Sequence, residues 1–372
     1  GDMNTEAEHH DSVYTWDAPF KQAPQLLLNI ERRFAGIEWG NADFAIVTDW
    51  RFSDRQLRAW KFSPASPAAD KALFQQRSYN DRYNDPGNFV TEKNEFGVDV
   101  IKVFGDNNKV LLTGRGASPE GNIPFMDEFD FGTASKQRLW QSEAPYYEQI
   151  VMPINDDATR VLTLRESVNE QPNFFIRDIK NNSLTQFTDF PHPSPAFVGI
   201  KKELIHYQRA DGVDLTGTLY LPPGYDESQG PIPVLMWAYP LEYRDKAVAS
   251  QVTDSPYEFV RVSYWGPLPH LAQGFAVFDD PKMPIIGTGD ELPNDNFRQQ
   301  LVESAIAAVN VLVSRGIADP DKIAIAGHSY GAFMVANLLA HSNLFKAGIA
   351  RSGAYNRSLT PFAYQREERS FW

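Results

Sequence analysis

Residues 322–341 read KIAIAGHSYGAFMVANLLAH, and no other run restricts the possible folds as much. KIAIAG has the apolar character of a buried strand, and AFMVANLLAH that of a helix. Between them stands GHSYG, a G-x-S-x-G pattern in the strand, tight turn, helix setting that gives the pattern its meaning. A serine at the centre must occupy a strained turn for its hydroxyl to project above the sheet. Small residues two before and two after it let strand and helix approach that closely. Ser329 is therefore the candidate nucleophile. The plainer alternative is a strand–helix turn in which a serine caps the helix.

The surroundings agree with an α/β layer. PVLMWAY (233–239) and FAVFD (275–279) are continuous apolar runs of strand length. FRQQLVESAIAAVNVLVSRG (297–316) places Leu301, Ala305, Val309 and Leu312 on one helical face, and Gly316 stops the helix. Two hairpin-like strands in ELIHYQRADGVDLTGTLYLP lead into this region.

Before about residue 195 the texture changes to short strands and polar turns. FAIVTDW (44–50) precedes QLRAWKF (56–62), KVLLTG (109–114) precedes KQRLWQ (136–141), and RVLTLRES (160–167) precedes NFFIRDI (173–179). Units recurring at roughly 40–50 residues suit propeller blades, with about three units here against the roughly 4–8 of a closed ring. A β-sandwich is the alternative. The proline-rich PHPSP (191–195) marks the expected boundary, giving domains 1–195 and 196–372.

A nucleophilic serine needs an oxyanion hole with two donors. The N–H of Tyr330, the residue after the nucleophile, is one candidate. The loop WAYPLEY (237–243) after an earlier strand offers the Tyr239 phenol as the other, since Pro240 has no N–H. It also needs a base and an acid, in the chain order Ser, Asp/Glu, His for this fold. After Ser329 come one histidine, His341, and the acids Glu367 and Glu368. His341 lies twelve positions along the elbow helix, about 18 Å away at the helical rise, so it is not the base. His328 adjoins Ser329 but is turned away by the geometry of the turn. The 372 residues thus hold no complete triad of that order.

A net charge of −13 argues against nucleic acid, because no basic surface is implied to displace counterions from phosphate. The absence of cysteine excludes disulfides, thiolate metal sites and a thiol nucleophile. No apolar run reaches membrane-spanning length, and GDMNTEAEHHD lacks the order of a signal peptide. A soluble protein is expected, its compartment open and periplasmic or secreted in a bacterial source. Glu8, His9, His10 and Asp11 resemble a metal cluster, yet in a polar segment they read as a solvated run. GTGD (287–290) lacks the strand, lysine and helix start of a phosphate loop, so no cofactor is expected. Oligomeric state is open. Arg351 and Arg357, in IARSGAYNR, follow the strand after the elbow helix, where strand ends line a site; either could pair a substrate carboxylate or a neighbouring loop.

The stretch 237–372 resembles the catalytic domain of prolyl oligopeptidase-type serine peptidases, most closely the glutamyl endopeptidase branch. WAYPLEYRDKAVASQV, DDPKMPIIGTGD, and DPDKIAIAGHSYGAFMVANLLAHSNLFKAGIARSGAYNRSLTPFAYQ with its tail REERSFW carry the likeness. VYTWDAPF and AGIEWGN resemble blades of that branch's β-propeller more weakly. The resemblance implies a β-propeller portion followed by a partial α/β-hydrolase domain. Ser329 would be the nucleophile, Tyr239 and the Tyr330 N–H the oxyanion hole, and a peptide the substrate, cut after Glu in that branch. It also implies that the triad acid and base lie downstream of residue 372 in a longer protein. An esterase on the same fold and a non-catalytic binding protein are the rival readings.

Overall fold

The computed structural model describes residues 7–67, 69, 71–106 and 108–355. In the N-terminal half, β-prone runs broken by tight turns pair with their nearest neighbours in sequence. Arg33–Asn41, Phe44–Arg51, Gln56–Phe62 and Ala72–Ser78 form a four-stranded antiparallel meander. Tyr147–Pro153, Arg160–Glu166, Asn173–Asp178 and Ser183–Gln186 form another. Between them Val103–Phe104, Lys109–Gly114, Phe125–Asp130 and Ser135–Gln141 make a third, with Asn88–Phe89 also against Lys109–Gly114. Asp11–Thr15 pairs with Gln25–Ile30 ahead of the first meander. Small apolar clusters hold these sheets, for example Phe44, Ile46, Ala59, Ile101 and Val110.

Two of the strand pairs expected from sequence are direct partners: Phe44–Arg51 with Gln56–Phe62, and Arg160–Glu166 with Asn173–Asp178. The middle pair is corrected. Phe125–Asp130 intervenes between Lys109–Gly114 and Ser135–Gln141 and bonds to both.

In the C-terminal half six strands form one mixed sheet. Their spatial order is Lys201–Gln208, Asp214–Leu221, Ala276–Asp279, Ile232–Trp237, Ala318–His328, Ala347–Arg351. The first three pair antiparallel and the remaining contacts are parallel. Parallel neighbours need crossovers, and the long helix Phe297–Ser314 and the elbow helix Tyr330–His341 supply two of them. Leu301, Ala305, Ala308, Val309 and Leu312 of the long helix are buried in one cluster with Val234, Met236, Ile323, Ile325, Met334 and Val335. That stripe repeats every three to four residues, so it packs as a helical face. Gly316, at φ 72°, ends the long helix by donating its N–H to the Val313 carbonyl.

The two halves meet along residues 251–261. Gln251 accepts the Arg82 N–H at 2.7 Å and donates to Asp81 at 2.8 Å. Asn122 donates its side chain to the Thr253 carbonyl and its N–H to that of Asp254. Glu166 accepts the Phe259 N–H at 3.1 Å and pairs with Arg261. Among the described residues no helix is long and apolar enough to cross a membrane.

Candidate active site

The strand Ala318–His328 carries the chain to the C-terminal edge of the sheet, and the helix Tyr330–His341 carries it away. Ser329 alone makes the turn, at φ 57° and ψ −114°. An L-residue rarely adopts that conformation, and it persists only where its surroundings over-determine it. Three contacts do so. The Ser329 N–H donates to the Arg351 carbonyl at 2.8 Å, which ties the turn to the neighbouring strand. Its own carbonyl accepts the N–H groups of Ala332 and Phe333 at 3.0 and 3.2 Å, the first bonds of the helix. A Cβ on Gly327 would lie 2.6 Å from the Gly331 carbonyl, and one on Gly331 would lie 2.7 Å from the Ala238 carbonyl. A side chain at Gly327 would force the elbow strand and helix apart, and one at Gly331 would push the helix off the segment that follows Ile232–Trp237. Ser329 is left exposed at the apex.

The expected oxyanion donors lie beside it. Tyr330 opens the elbow helix, where first-turn amides point out of the helix and a positive end favours developing negative charge. Tyr239 follows the strand Ile232–Trp237 by two residues, is 41% exposed, and meets Tyr330 edge to face at 6.0 Å between ring centroids. The Tyr330 ring stacks on Phe297 and Phe333 at 5.6 and 6.0 Å. Its hydroxyl lies 3.4 Å from carboxylate and amide oxygens of Glu242 and Asn294. The sequence alone did not mark these four neighbours, which fix the ring and with it the first turn of the helix.

Arg351 ends the strand Ala347–Arg351, opposite His328 in register. Its guanidinium sits 4.2 Å above the Trp265 ring and donates to the Trp265 carbonyl at 3.0 Å. Trp265 and its neighbour Tyr264 are 59% and 82% exposed, with ring centroids 4.9 Å apart. Sequence reading passed over this aromatic pair; two large aromatics in the loop SYWGPLP were the available signal. Ser329, Tyr330, Tyr239 and Arg351 thus come together at one edge of the sheet. Arg357 lies outside the described residues. His341 ends the elbow helix, remote from Ser329 as the helical rise requires.

At the same edge Asp279 closes the strand Ala276–Asp279, beside Trp237 and Thr218 in register. Burial pushes its carboxyl up to about 7, with the charges of Asp280 and Asp254 adding to the effect and Lys202 opposing it. At the N-terminus, His9 lies 3.6 Å from Glu8, and His10 hydrogen-bonds through Nδ1 with the Glu31 carbonyl at 2.6 Å. Among the described residues no three His, Cys, Asp or Glu side chains group as metal ligands.

Residues 292–367 match the family model described as Prolyl oligopeptidase family. Across the whole chain the sequence is 45% identical to a rice (Oryza sativa subsp. japonica) protein and 44% identical to an Arabidopsis thaliana protein. Each is named "Probable glutamyl endopeptidase, chloroplastic". The chain spans 41% and 40% of their lengths, about two fifths of each relative. Among solved structures, dipeptidyl peptidase 4 of Porphyromonas gingivalis superposes with a TM-score of 0.56 at 16% identity, over 91% of this chain and 52% of that one. Oligopeptidase B of Leishmania major gives 0.57 at 14% identity, over 91% and 45%. These likenesses carry the fold, and the sequence match to the prolyl oligopeptidase family lies in residues 292–367, around the turn at Ser329.

Proposed function

We propose that this protein is a serine peptidase in which Ser329 attacks the peptide carbonyl and forms an acyl-enzyme that water releases. The strained turn at Ser329, held between Gly327 and Gly331, is the observation that carries this reading. In it the meanders of residues 1–195 are blades of a β-propeller, and residues 196–372 are part of an α/β-hydrolase domain. The Tyr330 N–H and the Tyr239 hydroxyl receive the developing oxyanion. Arg351 stands beside the substrate, and Arg357 is the second arginine that the sequence offers for pairing a substrate carboxylate. The base and the acid that orients it come from the longer protein, as the length of the plant relatives suggests. The substrate is a peptide, cut after Glu as the names of those relatives state for them.

The test uses the full-length protein and a panel of peptide and p-nitrophenyl ester substrates. Peptide hydrolysis that Ser329→Ala reduces by several orders of magnitude is expected. Ester hydrolysis without peptide cleavage would favour an esterase. Full peptidase activity in the Ser329→Ala protein would remove the serine from the mechanism.

A further inference from the structure

A cleft of about 650 Å³ lies where the antiparallel sheets of the N-terminal half meet residues 241–253 and Lys282 of the C-terminal half. Much of its floor is main chain, because Gly87 and Gly116 line it and neither position admits a side chain. A Cβ there would lie 2.4 Å from the Thr113 carbonyl oxygen or 2.0 Å from that of Ile123. One wall is the strand Pro240–Tyr243, the direct continuation of Tyr239. A strand advances about 3.3 Å per residue, so Glu242 stands about 10 Å along the chain from Tyr239. An extended peptide covers that span in about three residues. A substrate with its scissile carbonyl at Ser329 therefore reaches this cleft within a few residues.

The other side presents two guanidinium groups. The Arg82 side chain is 53% exposed and lies 3.8 Å from Asp85, a carboxylate that Arg77 holds more closely at 3.1 Å. The Arg115 side chain is 62% exposed and lies 3.5 Å from Glu258. Lys282 also lines the cleft but is engaged by Asp280 at 2.5 Å and by the Thr253 hydroxyl at 3.1 Å. Asp85 and Glu242 are the acids on the lining, so the three cations outnumber them in a chain whose net charge is −13. Gln251 fixes the Arg82 main chain through the bonds to its N–H and to Asp81. A guanidinium on an anchored backbone, in partly excluded water, suits bidentate capture of a carboxylate.

We propose that Arg82 and Arg115 form a subsite for the carboxylate of an acidic residue in the peptide substrate, an inference that rests on the peptidase reading of Ser329. The test measures binding to full-length Ser329→Ala protein, so it needs no turnover. Its probes are fluorescent extended peptides of Ala and Gly carrying one Glu, walked through successive positions, each with a Gln twin. One position is expected to bind the Glu peptide about 10–100-fold more tightly than its twin, the range of a charge-assisted hydrogen bond. That ratio should fall below about twofold, the level of a vanished charge-assisted bond, in the Arg82→Met, Arg115→Met double variant and persist in Arg351→Met. Both arginine side chains are more than half exposed, so an unchanged melting temperature is the accompanying check. Charge reversal to Arg82→Glu and Arg115→Glu should turn the preference toward a Lys peptide. A ratio that survives the double variant, or is lost in Arg351→Met alone, overturns the assignment. So does the absence of a Glu preference at every position. Loss of the peptidase reading itself would appear separately, as wild-type protein that binds peptides and cleaves none.

Discussion

Ser329 holds a conformation that glycine would adopt without strain, so position 329 should reverse the usual ranking of alanine and glycine. At φ 57° and ψ −114° the Cβ is strained whatever the side chain carries beyond it. Ser329→Ala keeps that Cβ and should match the wild type in stability. Ser329→Gly removes it, relieving about 1–3 kcal/mol of strain, less about 0.5–1 kcal/mol for the extra freedom of glycine in the unfolded chain. The glycine protein should therefore be more stable than the alanine protein by about 1 kcal/mol, the difference between the middles of the two ranges, read from parallel urea titrations. Equal midpoints would mean that the turn is not strained. The elbow was legible in the sequence because the strain has a written signature: small residues at 327 and 331 with the serine between them. Arg351 was legible as a position and not as a set of contacts. Its stacking on Trp265, 86 residues earlier in the chain, follows from the packing of a loop whose path no local pattern specifies.

Strands with apolar alternation were read directly, and Phe125–Asp130, sequence FMDEFD, was not. An acid in the middle of a strand reads as a break, because an unpaired buried charge is too costly to keep. Asp127 is fully buried all the same, since Arg138 opposite it in register and Lys136 at 3.5 Å supply the countercharge. Its partners lie on the next strand, so their compensation is invisible until the register is known. At the end of the strand Ala276–Asp279 the compensation is incomplete, which gives a pH dependence of definite sign. The Asp279 carboxyl, raised to about 7 against an ordinary value near 3.9, binds its proton more tightly folded than unfolded. The stability it contributes is therefore greatest below about pH 4, falls as pH rises to about 7, and stays at its low level above that. Asp279→Asn should match the wild type near pH 4 and exceed it at pH 8. The excess should be on the order of 2 kcal/mol once partial exposure and its coupling to Asp280 and Asp254 are allowed for. Denaturant titrations of both proteins across that range test this. A difference that is flat with pH would place the proton elsewhere.

At the scale of the whole molecule, the boundary expected near the prolines at 191–195 is less informative than the segment that crosses it in space. Residues 251–261 run past three successive antiparallel sheets and are held at each by polar side chains, among them Gln251 at the turn after Ala72–Ser78, Asn122 ahead of Phe125–Asp130, and Glu166 at the end of Arg160–Glu166. Sequence reading could name the sheets but not this seam, because each clamp joins residues far apart in the chain by a pair of polar bonds that leave no periodic trace. Glu166 is the most buried of the three, and it bonds the Phe259 N–H with one oxygen and Arg261 with the other. Removing it leaves the Phe259 amide without that acceptor, whereas Arg261, with a half-exposed side chain, can return to water. The dominant loss in Glu166→Ala is thus the unsatisfied N–H, about 1–3 kcal/mol. Native-state hydrogen exchange at Phe259 should accelerate by about 5–150-fold, with residues 257–262 following as a unit. Glu166→Gln keeps an acceptor for the amide and loses only the charge, so its exchange should lie between those of wild type and Glu166→Ala. Gln251→Ala, which cuts the clamp at the other end, should speed exchange at Arg82 and leave Phe259 near its wild-type rate. Should Phe259 exchange at the wild-type rate in Glu166→Ala, the seam is held by the apolar contacts of Val260 with Ile200, Tyr220 and Leu268 rather than by its polar clamps.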